Sequence, residues 1–303
     1  MTQEPNGVLI VHKHAGVTSH NIVGTVRRLY HTRRVGHAGT LDPMATGVLV
    51  VLVGRAAKAS EYLSHDSKHY RATLRLGLST DTEDTTGEIL TTSENIPTNE
   101  ELQAILPHFR GEILQTPPMY SALKVNGQKL VDLARKGEII ERDARKIEIF
   151  SLEATPTGNP CEYILDVHCS GGTYIRTLCA DIGTALGCGG AMAALERSEA
   201  CGFDLSLAHT TEELEALSDE ERLNLLIPTE KLFSNLPKIQ LSAFFEKLCR
   251  SGCEIYLKKI GLNLPLGKRV AMCDANGAFF ALGEVGEFHD GIAVKAIKMF
   301  VIE

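Results

Sequence analysis

With 303 residues, 44% of them hydrophobic and 23% charged, the chain can bury a sizeable core and reads as one large globular domain plus a small one. Its apolar run near Val48 is far too short to span a bilayer, and MTQEPNG has neither a basic nor an apolar leader region, so the expected location is cytoplasmic. A net charge of −7 argues against a nucleic-acid partner until its distribution is read: residues 1–80 hold ten Lys/Arg against four Asp/Glu, and residues 151–303 hold thirteen against twenty-one. A basic part of an acidic chain suits phosphate, whose attraction is local at physiological salt; a solvated charge mosaic reads the same way.

Val8–Val11 reads as a first strand and Lys13–Gly16 as a loop. Ser19 then serves as N-cap of a helix with Ile22, Val26, Leu29 and Tyr30 on one face. Its other face and its end carry Arg27, Arg28, His31, Arg33 and Arg34, a solvated surface or one suited to a phosphate backbone. In Arg33–Gly54 the glycines 36, 39 and 47 and Pro43 surround a single carboxylate, Asp42, before the run Val48–Val53. That run is rich in β-branched residues and reads as a strand buried on both faces. Pro43 pushes Asp42 towards an extended conformation. The acid therefore sits on a tight loop held by a buried strand, as active-site acids often do, although Asp-Pro is also an ordinary turn signal.

Ala56, Ala59, Tyr62 and Leu63 suggest a helix, and Tyr70, Ala72, Leu74 and Leu76 alternate along a strand. Ser79–Gly87 reads as a solvated acidic loop, since it lacks the calcium-loop spacing. Thr98 and Glu101 form a capping box. Two prolines break regular structure in Gln115–Lys124, and residues 124–146 follow with seven Lys/Arg and four Asp/Glu, a polar insertion of functional length. Tyr163–Cys169 alternates as a strand, Ser170–Gly172 turns the chain, and a helix carries Ile175, Leu178, Ile182 and Leu186 on one face. Arg176 lies in its first turn, where the helix dipole disfavours a cation; either it is surface decoration or a carboxylate holds it. Asp204–Glu230 carries eight acids against one Arg. Beyond about residue 235, Arg269–Cys273 and Ala278–Leu282 flank Asp274–Gly277 as a hairpin, with further strand alternation through Ile292–Val301. The eight cysteines all follow residue 160 without a C-x-x-C pair, and Cys249 and Cys253 have no second pair, so buried reduced thiols are expected rather than zinc.

Gly36–Leu49, GHAGTLDPMATGVL, closely resembles the nucleophile motif of the bacterial tRNA pseudouridine-55 synthases. Lys13–Ser19 matches that family's opening segment except for His14 in place of proline. Tyr70 falls in its K-x-Y-x-A segment, Pro117–Lys124 in its P-P-x-Y-S-A-x-K segment, and Gly172–Leu178 matches G-T-Y-I-R-T-L without change. Leu195 takes the place of a pocket leucine, but Glu196 stands where the family has the first of two arginines. The resemblance is spread over most of residues 8–200. It implies an α+β pseudouridine synthase fold with a central mixed, largely antiparallel sheet flanked by helices, and a small C-terminal β-barrel of the PUA type, supported in the tail by the weaker match Leu282–Val285. It implies a catalytic domain over 1–235 with an RNA-gripping thumb near 120–148, and an RNA-binding domain over 236–303.

The resemblance further implies that Asp42 is the catalytic residue, that Arg176 pairs with it and aims it, and that Tyr70, Tyr174 and Leu195 contact the uridine. His37 would fill the space a flipped base leaves. Lys13, Arg33, Arg34, Lys124, Lys129, Arg142 and Arg145 are the candidate RNA-backbone contacts. The implied reaction converts uridine 55 of the tRNA T-loop to pseudouridine. This isomerisation is redox-neutral and demands no cofactor or metal; the implied partner is the tRNA T-arm, with no membrane and no obligatory protein partner, on a monomer. Sequence leaves open whether the carboxylate attacks the uracil ring, attacks the sugar or takes the 2′ proton. A non-catalytic RNA-binding or RNA-chaperone protein could use the same basic face, and would make Asp42 dispensable. A nucleotide-binding enzyme is disfavoured because the glycine loops lack the phosphate-loop signatures.

Overall fold

The computed structural model describes residues 4–63, 66–121, 123–125 and 127–301, with the side chains of Lys124 and Lys129 outside the described set. The apolar run Val48–Val53 forms a strand buried along nearly its whole length. β1 (Gly7–Lys13), β2 (Val35–Ala38), β3 (Thr46–Val53), β4 (Lys68–Leu76), β5 (Gly111–Gln115), β6 (Arg145–Pro156), β7 (Glu162–Cys169), β8 (Gly190–Ala200) and β9 (Phe203–Asp204) form one nine-stranded sheet. Its order is β1-β3-β8-β4-β7-β6-β5, with β2 added to β3 and β9 to β8. Every pairing is antiparallel except β3 with β8, so the sheet is mixed and largely antiparallel, as expected.

Strand side chains alternate between faces, and here the two faces of β1 and β3 feed two different cores. Leu9, Val11, Leu49, Val51 and Val53 pack under the helices α1 (Ser19–Leu29) and α2 (Ile175–Ala185). Val8, Ile10, Val48, Val50 and Leu52 pack on the opposite side against Phe233, Phe279, Leu282 and Phe300. This second core joins the main sheet to the C-terminal unit, whose strands are β10 (Lys238–Gln240), β11 (Ile255–Tyr256), β12 (Arg269–Cys273), β13 (Phe279–Phe288) and β14 (Gly291–Met299). Their order is β10-β12-β13-β14-β11, an open path with β10 and β11 at its edges.

Two local readings change. The N-cap of α1 is Thr18, not Ser19: Thr18 and Asn21 exchange a capping box, which frees the Ser19 hydroxyl for another task. The helix after β3 is 3-10 over Gly54–Tyr62, and its three-residue turn lines up Ala56 and Ala59 as buried residues on one face. The insertion after Gln115 contains a small hairpin, Lys124–Val125 with Gln128–Lys129, and a short helix, Leu130–Ala134. It has its own small core of Met119, Leu130 and Leu133.

Candidate active site

The Asp42 loop joins β2 to β3 and is tied at every step. Ser19 Oγ accepts the Leu41 N–H at 2.9 Å and donates to the Leu41 carbonyl at 3.1 Å, which is the task its place inside the helix leaves it free to do. The Gly16 N–H reaches the Pro43 carbonyl and the Ala45 N–H the Asp42 carbonyl. Arg197 on β8 is fully buried and donates to Val48 O at 2.8 Å and Gly39 O at 3.1 Å, closing the loop at both ends. Gly47, at φ +101°, passes so close to Arg197 that a Cβ there would lie 2.3 Å from the Arg197 carbonyl oxygen.

Lys13, expected on an RNA-facing surface, is instead completely buried. Its ammonium donates to Ala45 O at 2.5 Å, His14 O at 3.0 Å and Pro43 O at 3.2 Å, so it braces the loop and has no proton left for a phosphate. Burial lowers its pKa to about 8, with the Asp42 carboxylate opposing that fall and Arg197 adding to it.

The carboxylate so presented meets Arg176 from the first turn of α2. Arg176 Nε lies 2.9 Å from Asp42 Oδ2 and Nη2 lies 3.3 Å from Oδ1, a two-pronged pair with a buried guanidinium and a partly exposed acid. The remaining donors are spoken for. Nη2 also donates to the Tyr120 carbonyl at 2.7 Å and Nη1 to the Thr82 carbonyl at 3.1 Å, with Asp84 Oδ2 4.0 Å away. A buried guanidinium in a first helical turn is thus held by two carboxylates and two carbonyls.

Asp84 corrects the reading of Ser79–Gly87 as a solvated loop. It is only 6% exposed, and its Oδ1 accepts from Thr82 Oγ1, Thr86 N and Thr86 Oγ1, so the segment is a self-bonded turn aimed at Arg176.

A cavity of about 700 Å³ opens over this pair. Its lining brings together Asp42, His37, Tyr70, Tyr174, Arg176 and Leu195, six residues that lie in four separate stretches of the chain. Tyr70 and Leu195 come from adjacent strands, and both are nearly buried. Burial pushes the Tyr70 phenol up, against the pull of Arg197, which keeps it a neutral hydroxyl. Burial likewise pushes His37 down, with Arg197 and His20 adding to the effect, so its imidazole is neutral near pH 7. Lys68 lines the same cavity, and burial lowers its pKa too. The arrangement offers one aimed carboxylate, flat neutral walls and few exposed charges, which suits a planar heterocycle better than a phosphate.

The basic candidates divide. Arg33 and Arg34 are exposed and line a separate depression of about 600 Å³ with Arg55 and Lys58, although Arg34 also pairs with Glu4 at 3.2 Å. Arg145 is exposed at the start of β6, whereas Arg142 is half-buried and its charge reaches Glu83. The Lys124 and Lys129 side chains lie outside the described residues. Reading the sequence missed Arg197, Asp84, Gln115 and Ser19 as parts of this site. The one signal for Arg197 is its phase, two residues beyond Leu195 and therefore on the same face of β8.

Comparison with known proteins now decides the family. Residues 27–175 match the model of the TruB family pseudouridylate synthase N-terminal domain, and residues 176–234 match that of the tRNA pseudouridylate synthase B C-terminal domain. The chain is 42% identical to the tRNA pseudouridine synthase B of Alkaliphilus oremlandii, over 97% of its own length and 98% of the relative's. The chain belongs to the TruB family of pseudouridylate synthases. It is an isomerase. The synthase is also 45% identical to the tRNA pseudouridine synthase B of Francisella tularensis, over 77% of each chain. Its fold matches a protein chain of an H/ACA ribonucleoprotein bound to a substrate RNA containing 2′-deoxyuridine, with a TM-score of 0.74 at 21% identity over 99% of this chain and 86% of that one. A chain of a Cbf5–Nop10–Gar1 complex matches with a TM-score of 0.72 at 24% identity, over 98% of this chain and 85% of that one.

Proposed function

We propose that this synthase converts uridine 55 in the T-loop of tRNA to pseudouridine, with Asp42 as the catalytic carboxylate. The observation that carries the reading is the two-pronged Asp42–Arg176 pair at the floor of a cavity walled by Tyr70, Tyr174 and Leu195. The reaction breaks the N1–C1′ bond, turns the uracil and joins C5 to C1′. The C5 proton is lost and N1 gains one, so no electrons enter or leave. Asp42 is a nucleophile or proton acceptor placed at that cavity, and Arg176 holds its two oxygens so that one edge of the carboxylate faces the ring. Tyr70 and Leu195 supply flat and apolar walls that exclude water while the detached base turns.

A base inside a folded T-loop reaches this cavity only by leaving its stack, at a cost of about a few kcal/mol. His37, whose neutral imidazole lines the cavity, would occupy the vacated space. Contacts to the phosphate backbone offset that cost. The exposed Arg33, Arg34 and Lys58 with the half-buried Arg55 form one set of candidates, and Arg145 with the insertion after Gln115 forms another.

The test is pseudouridine mapping on an unmodified tRNA transcript with wild type and Asp42→Asn. A new pseudouridine at position 55 with wild type alone, and tRNA affinity kept by the variant, is the expected outcome. Modification of another uridine would move the target, and binding without modification by wild type would leave an RNA-binding protein.

A further inference from the structure

Gln115 ends β5 with 2% of its surface exposed, at the root of the insertion that leaves the sheet through Thr116, Pro117 and Pro118. A buried amide must have its polar atoms answered. Its Oε1 accepts the Tyr174 backbone N–H at 2.8 Å, and its Nε2 donates to the Tyr174 carbonyl at 3.0 Å. The partners fix the amide's orientation, because a backbone N–H can only donate and a carbonyl can only accept. Tyr174 is the N-cap of α2, and its own side chain caps nothing. Two residues later Arg176 turns to Asp42, and its Nη2 also meets the Tyr120 carbonyl at 2.7 Å. The short stretch from Gln115 to Tyr120 therefore grips both the peptide that opens α2 and the guanidinium that aims the acid.

We propose that Gln115 is a positioning residue for the isomerisation: its amide sets the Tyr174–Arg176 turn, and through it the aim of Asp42, according to how the root of the insertion is seated. Gln115 touches no reacting atom. The proposal rests on the reading of Asp42 as the catalytic carboxylate. Because one amide answers both polar groups of Tyr174, removing only its donor breaks half of the clamp. Gln115→Glu does this reversibly. The ionised carboxylate still accepts the Tyr174 N–H but sets a second acceptor against the carbonyl, whereas the protonated carboxyl has the amide's shape and restores the donor. Burial favours the protonated form, and the charges of Arg145, opposite Gln115 in the sheet, and of Arg176 favour the ionised one.

The experiment measures single-turnover pseudouridine formation and tRNA affinity for wild type, Gln115→Leu, Gln115→Glu and Asp42→Asn. The Gln115→Leu rate constant should fall about 10²-fold with affinity within about threefold of wild type, as expected when a reacting group is misplaced rather than removed. The Gln115→Glu rate, divided by the wild-type rate at each pH, should climb as the pH falls from about 8 to about 5. A Gln115→Leu rate equal to wild type overturns the proposal, and so does a Gln115→Glu ratio that is flat with pH. If Gln115→Leu does not fold, the Gln115→Glu profile decides; if neither variant folds, Gln115 is structural and the proposal is overturned. An inactive wild type or an active Asp42→Asn strikes the underlying reading instead, and shows without any Gln115 variant.

Discussion

Arg176 answers two carboxylates and two carbonyls with one guanidinium, and the consequences of losing it differ from those of losing Asp42. Asp42→Asn leaves a neutral amide at a partly exposed position. Arg176→Met leaves Asp84 buried without its nearest cation, a situation that costs about 3–5 kcal/mol when a buried pair is broken. Chemical denaturation should therefore find Arg176→Met much less stable than Asp42→Asn, with both inactive. Equal stability would mean that Asp84 does not depend on that cation.

Lys13 sets a second expectation at this scale. Its folded pKa of about 8 lies below the ordinary 10.5, so between those values the unfolded chain binds more protons than the folded one. Its contribution to stability is therefore least favourable below pH 8 and improves as pH rises through that window. Activity should move the other way, because deprotonation removes a donor and a charge from the brace of the Asp42 loop. We expect turnover to fall above about pH 8 while the melting temperature does not fall in step, and parallel declines would count against this account. Asp42 was legible because its motif is contiguous. Arg197 and Asp84 were not, because a buried charge is visible only once its partners, distant in sequence, are placed around it.

At the scale of elements, the loop keeps its shape because a helix start, a buried lysine and a strand arginine all bond to it. Gly47→Ala tests how little room that leaves. The substitution forces a side chain into a positive-φ position 2.3 Å from a backbone oxygen of β8, the one strand paired parallel to β3. A loss of more than about 3 kcal/mol, or failure to fold, is expected by chemical denaturation, since the obstacle is backbone that cannot rotate away. Strand and helix identities were largely readable. Alternation marked β4 and β7, a three-residue gap marked the Thr98 capping box, and Asp274–Gly277 marked the β12–β13 hairpin. Ser19 was misread as a cap because its hydroxyl, which the Thr18 capping box leaves free, has a tertiary use at Leu41.

The whole molecule is built on a sheet that serves two cores, with β3 lending alternate residues to each. The second core is shared with the C-terminal strands through the ring contacts of Phe233, Phe279 and Phe300, whose centroids lie 5.5–5.7 Å apart. A chain cut after residue 235 would strip Ala271, Phe279, Leu282 and Phe300 from the core that packs on Val8, Ile10, Val48, Val50 and Leu52, uncovering part of that apolar face. Such a fragment should be insoluble or aggregated in sedimentation, whereas a monomeric, active fragment would show that the tail is dispensable. Nothing in the sequence announced this sharing, because Val48–Val53 reads only as buried, not as buried against what.

Since β3 also leads directly out of the Asp42 loop, damage to either core reaches the Asp42 carboxylate through one strand. Heat should therefore produce no long-lived population that is partly melted yet still turning over. Truncating Phe300 to alanine, on the far core, should shorten the half-life of activity at elevated temperature as steeply as it shortens that of the circular-dichroism signal.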